Sequence, residues 1–218
     1  MSNSPLLAAL ASAPLLPVLR SADPAAAFQQ IATLREAGLR VIELTTSIPD
    51  WPVALRETAD RWPDLLVGVG TVTTPHQADA AVQSGARFLV SPWPSPDVRP
   101  VASAAGVEFL EGGFTPGEVA AAASRGIAKL FPAHVGGPAY LSSLLAVLPG
   151  ARIIPTGGIR PADAVQYLLA GAVAVGVGSA LTRDADLPGT IAAIRAATGR
   201  ADPPGAAPAG GAADETAR

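Results

Sequence analysis

Lys129 and Glu43 are the residues of this 218-residue chain best suited to covalent chemistry. Lys129 is the only lysine against fourteen arginines. It sits in Gly126-Ile127-Ala128-Lys129-Leu130-Phe131-Pro132-Ala133-His134, which reads as a short apolar strand stopped by proline. Arginine has taken every other basic position, so this one calls for an amine that can lose its proton. Among Ile, Leu and Phe the amine is partly desolvated, which lowers its pKa and lets it attack a carbonyl as a Schiff-base nucleophile. The alternative is a lysine at a strand end whose stem is buried and whose head reaches water. Glu43, inside Val41-Ile42-Glu43-Leu44-Thr45, either pairs with a buried cation such as Lys129 or Arg20, or has a raised pKa and moves protons. A lysine nucleophile needs such an acid/base to form and dehydrate the carbinolamine. Arg20 could hold a carboxylate bidentately, and Thr71 could add a hydroxyl and an N–H donor.

The elements that must position these residues alternate strand and helix. Strands are expected at Leu15–Arg20, Val41–Thr45, Leu65–Gly70, Arg87–Ser91, Val107–Glu111, around Lys129, at Ala151–Pro155 and at Val173–Val177. Helices are expected after each, several opened by a capping residue and proline (Asp23-Pro24, Thr74-Pro75, Thr115-Pro116) and closed by glycine (Gly38, Gly85, Gly106, Gly171). Eight βα units close most economically into a single-domain (β/α)8 TIM barrel over residues 1–199, with chemistry at the C-terminal strand ends. An apolar, amphipathic N-terminal segment is expected to add a helix closing one end. A doubly wound open sheet would require a Gly-rich loop after the first strand, and Arg20-Ser21-Ala22-Asp23 is not one. Thr156-Gly157-Gly158 and Gly176-Val177-Gly178-Ser179 fall at the ends of strands seven and eight. Together they favour phosphate or carboxylate binding through backbone N–H groups, with a helix N-terminus adding favourable charge.

Composition narrows the alternatives. A net charge of −3 gives no electrostatic case for nucleic acid or an anionic membrane, and the absence of cysteine excludes disulfides, thiolate metal sites and a cysteine nucleophile. Two histidines make a histidine-rich metal site unpromising. Residues 1–15 carry no basic segment and are too short to span a bilayer, so a cytoplasmic protein without a targeting segment is expected. Residues 200–218 are Ala/Gly/Pro-rich and are expected to be a disordered tail.

Six motifs in order carry a resemblance: Ile42-Glu43-Leu44-Thr45, Gly68-Val69-Gly70-Thr71-Val72, Ser91-Pro92, Lys129-Leu130-Phe131-Pro132-Ala133, Pro155-Thr156-Gly157-Gly158-Ile159 and Gly176-Val177-Gly178-Ser179. From about Leu15 to Leu181 the chain resembles the 2-keto-3-deoxy-6-phosphogluconate/phosphogalactonate and 4-hydroxy-2-oxoglutarate aldolase family. The resemblance implies a class I, metal-independent aldolase with no cofactor beyond a covalent lysine imine. It acts on a small-molecule keto acid and aldehyde and is typically a homotrimer. It puts the Schiff-base lysine on Lys129, the acid/base on Glu43, pyruvate contacts on Thr71, Pro92 and Phe131, and phosphate contacts on Gly157, Gly158, Gly178 and Ser179. Three departures bear on the aldehyde partner. Ser47 replaces an arginine that many members use for the pyruvate carboxylate, a task other members give to an arginine matching Arg20. Glu111 stands where proline is usual and could bind a substrate hydroxyl, repel an anionic tail or face solvent. His134 replaces a residue that is often acidic or small. The rival readings are a metal- or acid/base-dependent sugar-phosphate epimerase or synthase, and a non-catalytic anion-binding barrel.

Overall fold

The computed structural model describes residues 4–200. In chain order the elements are α1 (Pro5–Leu10), β1 (Leu15–Leu19), α2 (Pro24–Glu36), β2 (Val41–Thr45), α3 (Trp51–Arg61), β3 (Leu66–Gly70), α4 (Pro75–Gln83), β4 (Phe88–Val90), α5 (Val98–Ala104), β5 (Glu108–Gly113), α6 (Pro116–Ala123), β6 (Ile127–Leu130), α7 (Gly137–Val147), β7 (Arg152–Pro155), α8 (Ala164–Leu169), β8 (Val175–Val177) and α9 (Leu187–Thr198). The helices begin where side chains satisfy otherwise unpaired N–H groups. Asp23 Oδ1 accepts from Ala26 N–H at 2.8 Å, Thr74 Oγ1 accepts from Gln77 N–H at 3.2 Å, and Thr115 with Glu118 forms a reciprocal capping box. At the ends of α2 and α4, Gly38 (φ 90°) and Gly85 (φ 94°) take the left-handed conformation that turns the chain back toward the sheet.

All strand pairs are parallel, in the order β7-β6-β5-β4-β3-β2-β1-β8. The ring closes between β7 and β8 through a bridge of Thr156 with Gly176 and a bond from Val173 N–H to the Ile153 carbonyl at 3.1 Å. One strand face points into the barrel. Leu16, Val41, Phe88, Val90, Leu110, Ile127, Ile154 and Ala174 form its inner core with Leu6 and Leu10 of α1, which plugs the N-terminal end as the sequence implied. Burying Leu6 and Leu10 contributes roughly 1.5–3 kcal/mol each as an upper figure. The opposite face packs under the helices through residues such as Ile42, Leu44, Leu89, Ala128, Leu130 and Ile153. Gly68 gives Phe88 its room, because a Cβ there would lie 2.5 Å from the Phe88 ring.

Six strands differ in extent from the sequence expectation. β1, β3 and β7 are one residue shorter, β4 and β8 two residues shorter, and β5 starts one residue later and runs on through Gly112 and Gly113. The tail expected from residue 200 lies outside the described residues except for Arg200. Its guanidinium donates to the carbonyls of Leu10, Ala11 and Val173 at 3.4, 2.9 and 3.3 Å. Among the described residues no helix is long and apolar enough to cross a membrane.

Candidate active site

The inward parity of β2 and β6 brings Glu43 and Lys129 together across the barrel. Glu43 is in register with Gly68 of β3, and Lys129 lies between Gly112 of β5 and Ile154 of β7. Their side chains meet in the lumen with Lys129 Nζ 3.7 Å from Glu43 Oε1, an ion-pair contact longer than a hydrogen bond. Lys129 is 2% exposed and Glu43 fully buried. Neither carboxylate oxygen has a hydrogen-bond partner among the described residues. Gly70 makes the space: a Cβ there would overlap the Glu43 carboxylate.

Burial raises the Glu43 pKa above the ordinary carboxylate range, and attraction to Lys129 and Arg20 only partly offsets it. Burial also lowers the Lys129 pKa from its ordinary 10.5, opposed by the Glu43 charge and reinforced by Arg20. Burial thus makes the Lys129 amine easier to deprotonate and the Glu43 carboxylate easier to protonate than either would be in water. The amine lies 5.4 Å from the centroid of the Phe131 ring, which shields it on one side.

The other expected residues ring this pair. Arg20 follows β1, exposed at the mouth, with its charge acting on both partners. Thr71 follows β3 in the left-handed region at φ 63°, and its carbonyl accepts from Thr46 Oγ1 at 3.0 Å. Holding a non-glycine residue there costs about 1–3 kcal/mol, a strain of the kind found at ligand sites. Ser47 is exposed and hydrogen-bonds Thr45 Oγ1 at 2.7 Å. Thr45 commits its own proton to the Leu19 carbonyl at 2.8 Å, so Ser47 is the donor of that pair. Pro92 is buried beside Ser91, whose Oγ accepts from Gly112 N–H at 3.0 Å and donates to the Trp93 carbonyl at 2.8 Å.

After β7, Gly157 (φ 96°) and Gly158 (φ 71°) fold closely onto two rings. A Cβ on the first would lie 2.7 Å from Phe131, and on the second 2.5 Å from His134. His134 is exposed and braces this loop, with its N–H and its ring Nδ1 each 3.2 Å from the Gly157 carbonyl. After β8, Gly178 and Ser179 open a run of turns in which Leu181 N–H bonds the Gly178 carbonyl at 2.9 Å. After β8 no helix begins before α9 at Leu187, but a 3-10 turn over Pro161–Asp163 follows the β7 loop and borders the same cavity as Ala180.

Glu111 requires a correction. It neither faces solvent nor reaches the lumen. It is 3% exposed on the outer face of β5, one residue out of phase with inward-facing Leu110 and Gly112. Arg99 Nη2 donates to Oε2 at 2.7 Å, Arg125 Nη1 at 3.1 Å, and Ser95 N–H donates to Oε1 at 3.0 Å. A strand ending at residue 111 would have put this carboxylate at the rim, whereas the extra two residues of β5 place it inside the helix layer. Two contributors escaped sequence reasoning. Gly70 shows its purpose only once Glu43 is known to lie beside it. Arg183, whose Nη2 donates to Ser179 Oγ at 3.2 Å, lies in irregular turns without periodicity. Among the described residues no three His, Cys, Asp or Glu side chains cluster as metal ligands would.

Residues 7–195 match the family model described as KDPG and KHG aldolase. The chain belongs to this aldolase family. A probable 2-dehydro-3-deoxy-6-phosphogalactonate aldolase of Rhizobium meliloti is 36% identical over 173 residues, 77% of this chain and 81% of that protein. A 2-dehydro-3-deoxy-phosphogluconate aldolase of Pseudomonas aeruginosa is 33% identical, covering 71% of each. Among solved structures, the KDPG aldolase of Legionella pneumophila, with pyruvate captured as a covalent carbinolamine intermediate, superposes with a TM-score of 0.75 at 27% identity. The match covers 90% of this chain and 98% of that one. The KDPG/KHG aldolase barrel is thus the frame in which Lys129 and Glu43 face each other.

Proposed function

We propose that the protein reversibly cleaves a 2-keto-4-hydroxy acid, 2-keto-3-deoxy-6-phosphogluconate or its phosphogalactonate epimer, to pyruvate and an aldehyde such as glyceraldehyde 3-phosphate. The observation that carries this is the buried Lys129–Glu43 pair, 3.7 Å apart, with both carboxylate oxygens unpartnered among the described residues. The neutral Lys129 amine adds to the C2 carbonyl, and the Glu43 acid donates the proton with which water leaves the carbinolamine. The protonated imine then draws in the C3–C4 bonding electrons while the Glu43 carboxylate takes the C4 hydroxyl proton. The aldehyde departs, and the enamine is protonated at C3 before water releases pyruvate and restores the amine. In this reading Arg20 and Thr71 hold the pyruvate carboxylate, Pro92 and Phe131 wall the pocket, and Gly157, Gly158, Gly178 and Ser179 receive the phosphate. Ser47 and His134 line its approaches.

The reaction so written uses no metal, and the working form is proposed to be a cytoplasmic homotrimer, as the family resemblance implies. Pyruvate release from the two C4 epimers, followed by coupled reduction to lactate in the presence and absence of EDTA, tests the reading. Cleavage of at least one epimer, undiminished by EDTA, is expected. No cleavage of either by folded protein would reject it.

A further inference from the structure

We infer that the start of β5, at the end of the barrel away from the catalytic mouth, carries a second ligand site for a small organic anion that also bears a hydroxyl or ammonium donor. A cavity of about 320 Å3 wraps the first residues of β5, reaching from under α5 to Ser4 at the head of α1. Arg125 and Gly126, which lead into β6, and Arg152, which opens β7, complete its wall. At about 3.3 Å per residue, Glu108 lies roughly 13 Å before Gly112, the residue in register with Lys129. None of the residues assigned to the catalytic site lines this cavity.

Its cations are short of partners. Glu111 takes one nitrogen from each of two arginines, Arg99 Nη2 at 2.7 Å and Arg125 Nη1 at 3.1 Å. Their other side-chain nitrogens form no hydrogen bond among the described residues. Arg99 Nε is even buried in that state, with the guanidinium 5.0 Å from the centroid of the Phe109 ring. The only other buried side-chain atoms so orphaned among the described residues are the two oxygens of Glu43, and a buried polar group without a partner calls for an explanation. The Arg152 side chain has neither an ion pair nor a hydrogen bond among the described residues. An anion beside Arg152 and the open edges of Arg99 and Arg125 supplies the missing charge, in the geometry a guanidinium fork favours. Glu108 defines the other end. Its Oε2 accepts from Ser4 Oγ at 2.8 Å, and Oε1 accepts nothing among the described residues. A second anionic group there would be repelled, whereas a hydroxyl or an ammonium would be bound. Ala102, Val107 and Phe109 give the carbon skeleton an apolar wall.

Calorimetric titration of the intact protein with three probes tests the site. Gluconate carries hydroxyls beside its carboxylate and no carbonyl with which to form an imine, L-serine offers an ammonium, and propionate is an anion with neither donor. Wild type should bind gluconate or L-serine about tenfold more tightly than propionate. Arg152→Ala should weaken that binding by about tenfold to a hundredfold, as expected for loss of a charged hydrogen-bonding partner. This variant should keep the wild-type circular dichroism spectrum, because the Arg152 side chain holds nothing else in place. Lys129→Ala should bind as wild type does, which separates the site from the catalytic mouth. Equal affinity for propionate would overturn the ligand class. Unchanged binding in Arg152→Ala, loss of binding in Lys129→Ala, or no binding of gluconate and L-serine by folded wild type would overturn the site. No turnover is needed, so the result stands apart from the aldolase reading.

Discussion

Two carboxylates are shielded from solvent in this barrel, one at its centre and one under the helices, and do opposite things. Glu111, on the outer face of β5, has both oxygens engaged by Ser95, Arg99 and Arg125. Its burial works to raise the pKa, but those donors and the two guanidinium charges outweigh it, and the pKa is lowered. Glu43, on the inner face of β2, has one amine at 3.7 Å and no hydrogen bond among the described residues, and burial wins. A buried charge with its partners in place is structure. One left short of partners is held at a cost the surrounding fold must sustain, and such groups gather where chemistry is done.

The contrast can be broken by substitution, and the largest effect is expected at the amine. Lys129→Ala should abolish cleavage in steady-state assays while the circular dichroism spectrum is retained, because no other lysine exists to form the imine. Glu43→Gln should lower kcat by about 10²- to 10⁴-fold, the usual contribution of a positioned acid/base. The same variant sharpens the electrostatic claim. The Glu43 charge raises the Lys129 pKa, so its removal should lower that pKa further and move the acid limb of imine formation to lower pH in stopped-flow traces.

On stability the two glutamates should part in sign. Glu111→Gln should cost roughly 1–3 kcal/mol in urea unfolding, toward the low end because Arg125 is half exposed, with turnover unchanged. Because the folded pKa of Glu111 is depressed, its contribution is fully present above the ordinary carboxylate pKa and is lost as pH falls through the lower folded value. The raised pKa of Glu43 means the opposite: ionising it costs stability as pH climbs from the ordinary carboxylate value through the folded one. Glu43→Gln should therefore raise the thermal midpoint at neutral pH, a smaller effect than the loss at Glu111. A fall would place Glu43 with the structural ion pairs.

Much of the barrel was legible because its signals are local. Asp23-Pro24, Thr74-Pro75 and Thr115-Pro116 cap the helices the sequence placed there, and the alternation of apolar runs gave eight strands in the right order. The lone lysine and a glutamate inside an apolar strand were equally visible, and the barrel brings the two together. What escaped depends on partners distant in sequence. Whether Glu111 faces the lumen or the helices turns on strand parity and on β5 running two residues further. Gly70 is explained by a side chain on the neighbouring strand, and Arg183 by a hydroxyl four residues away in a turn with no repeating pattern.

The central claim is that Lys129, set against an unpaired Glu43, is a nucleophilic amine. Intact mass after incubation with pyruvate and sodium borohydride, followed by peptide mapping, tests it most directly. The account predicts one reduced pyruvyl adduct per chain, on Lys129, absent from Lys129→Ala. Folded protein that acquires no adduct, or an adduct elsewhere in the chain, would contradict it.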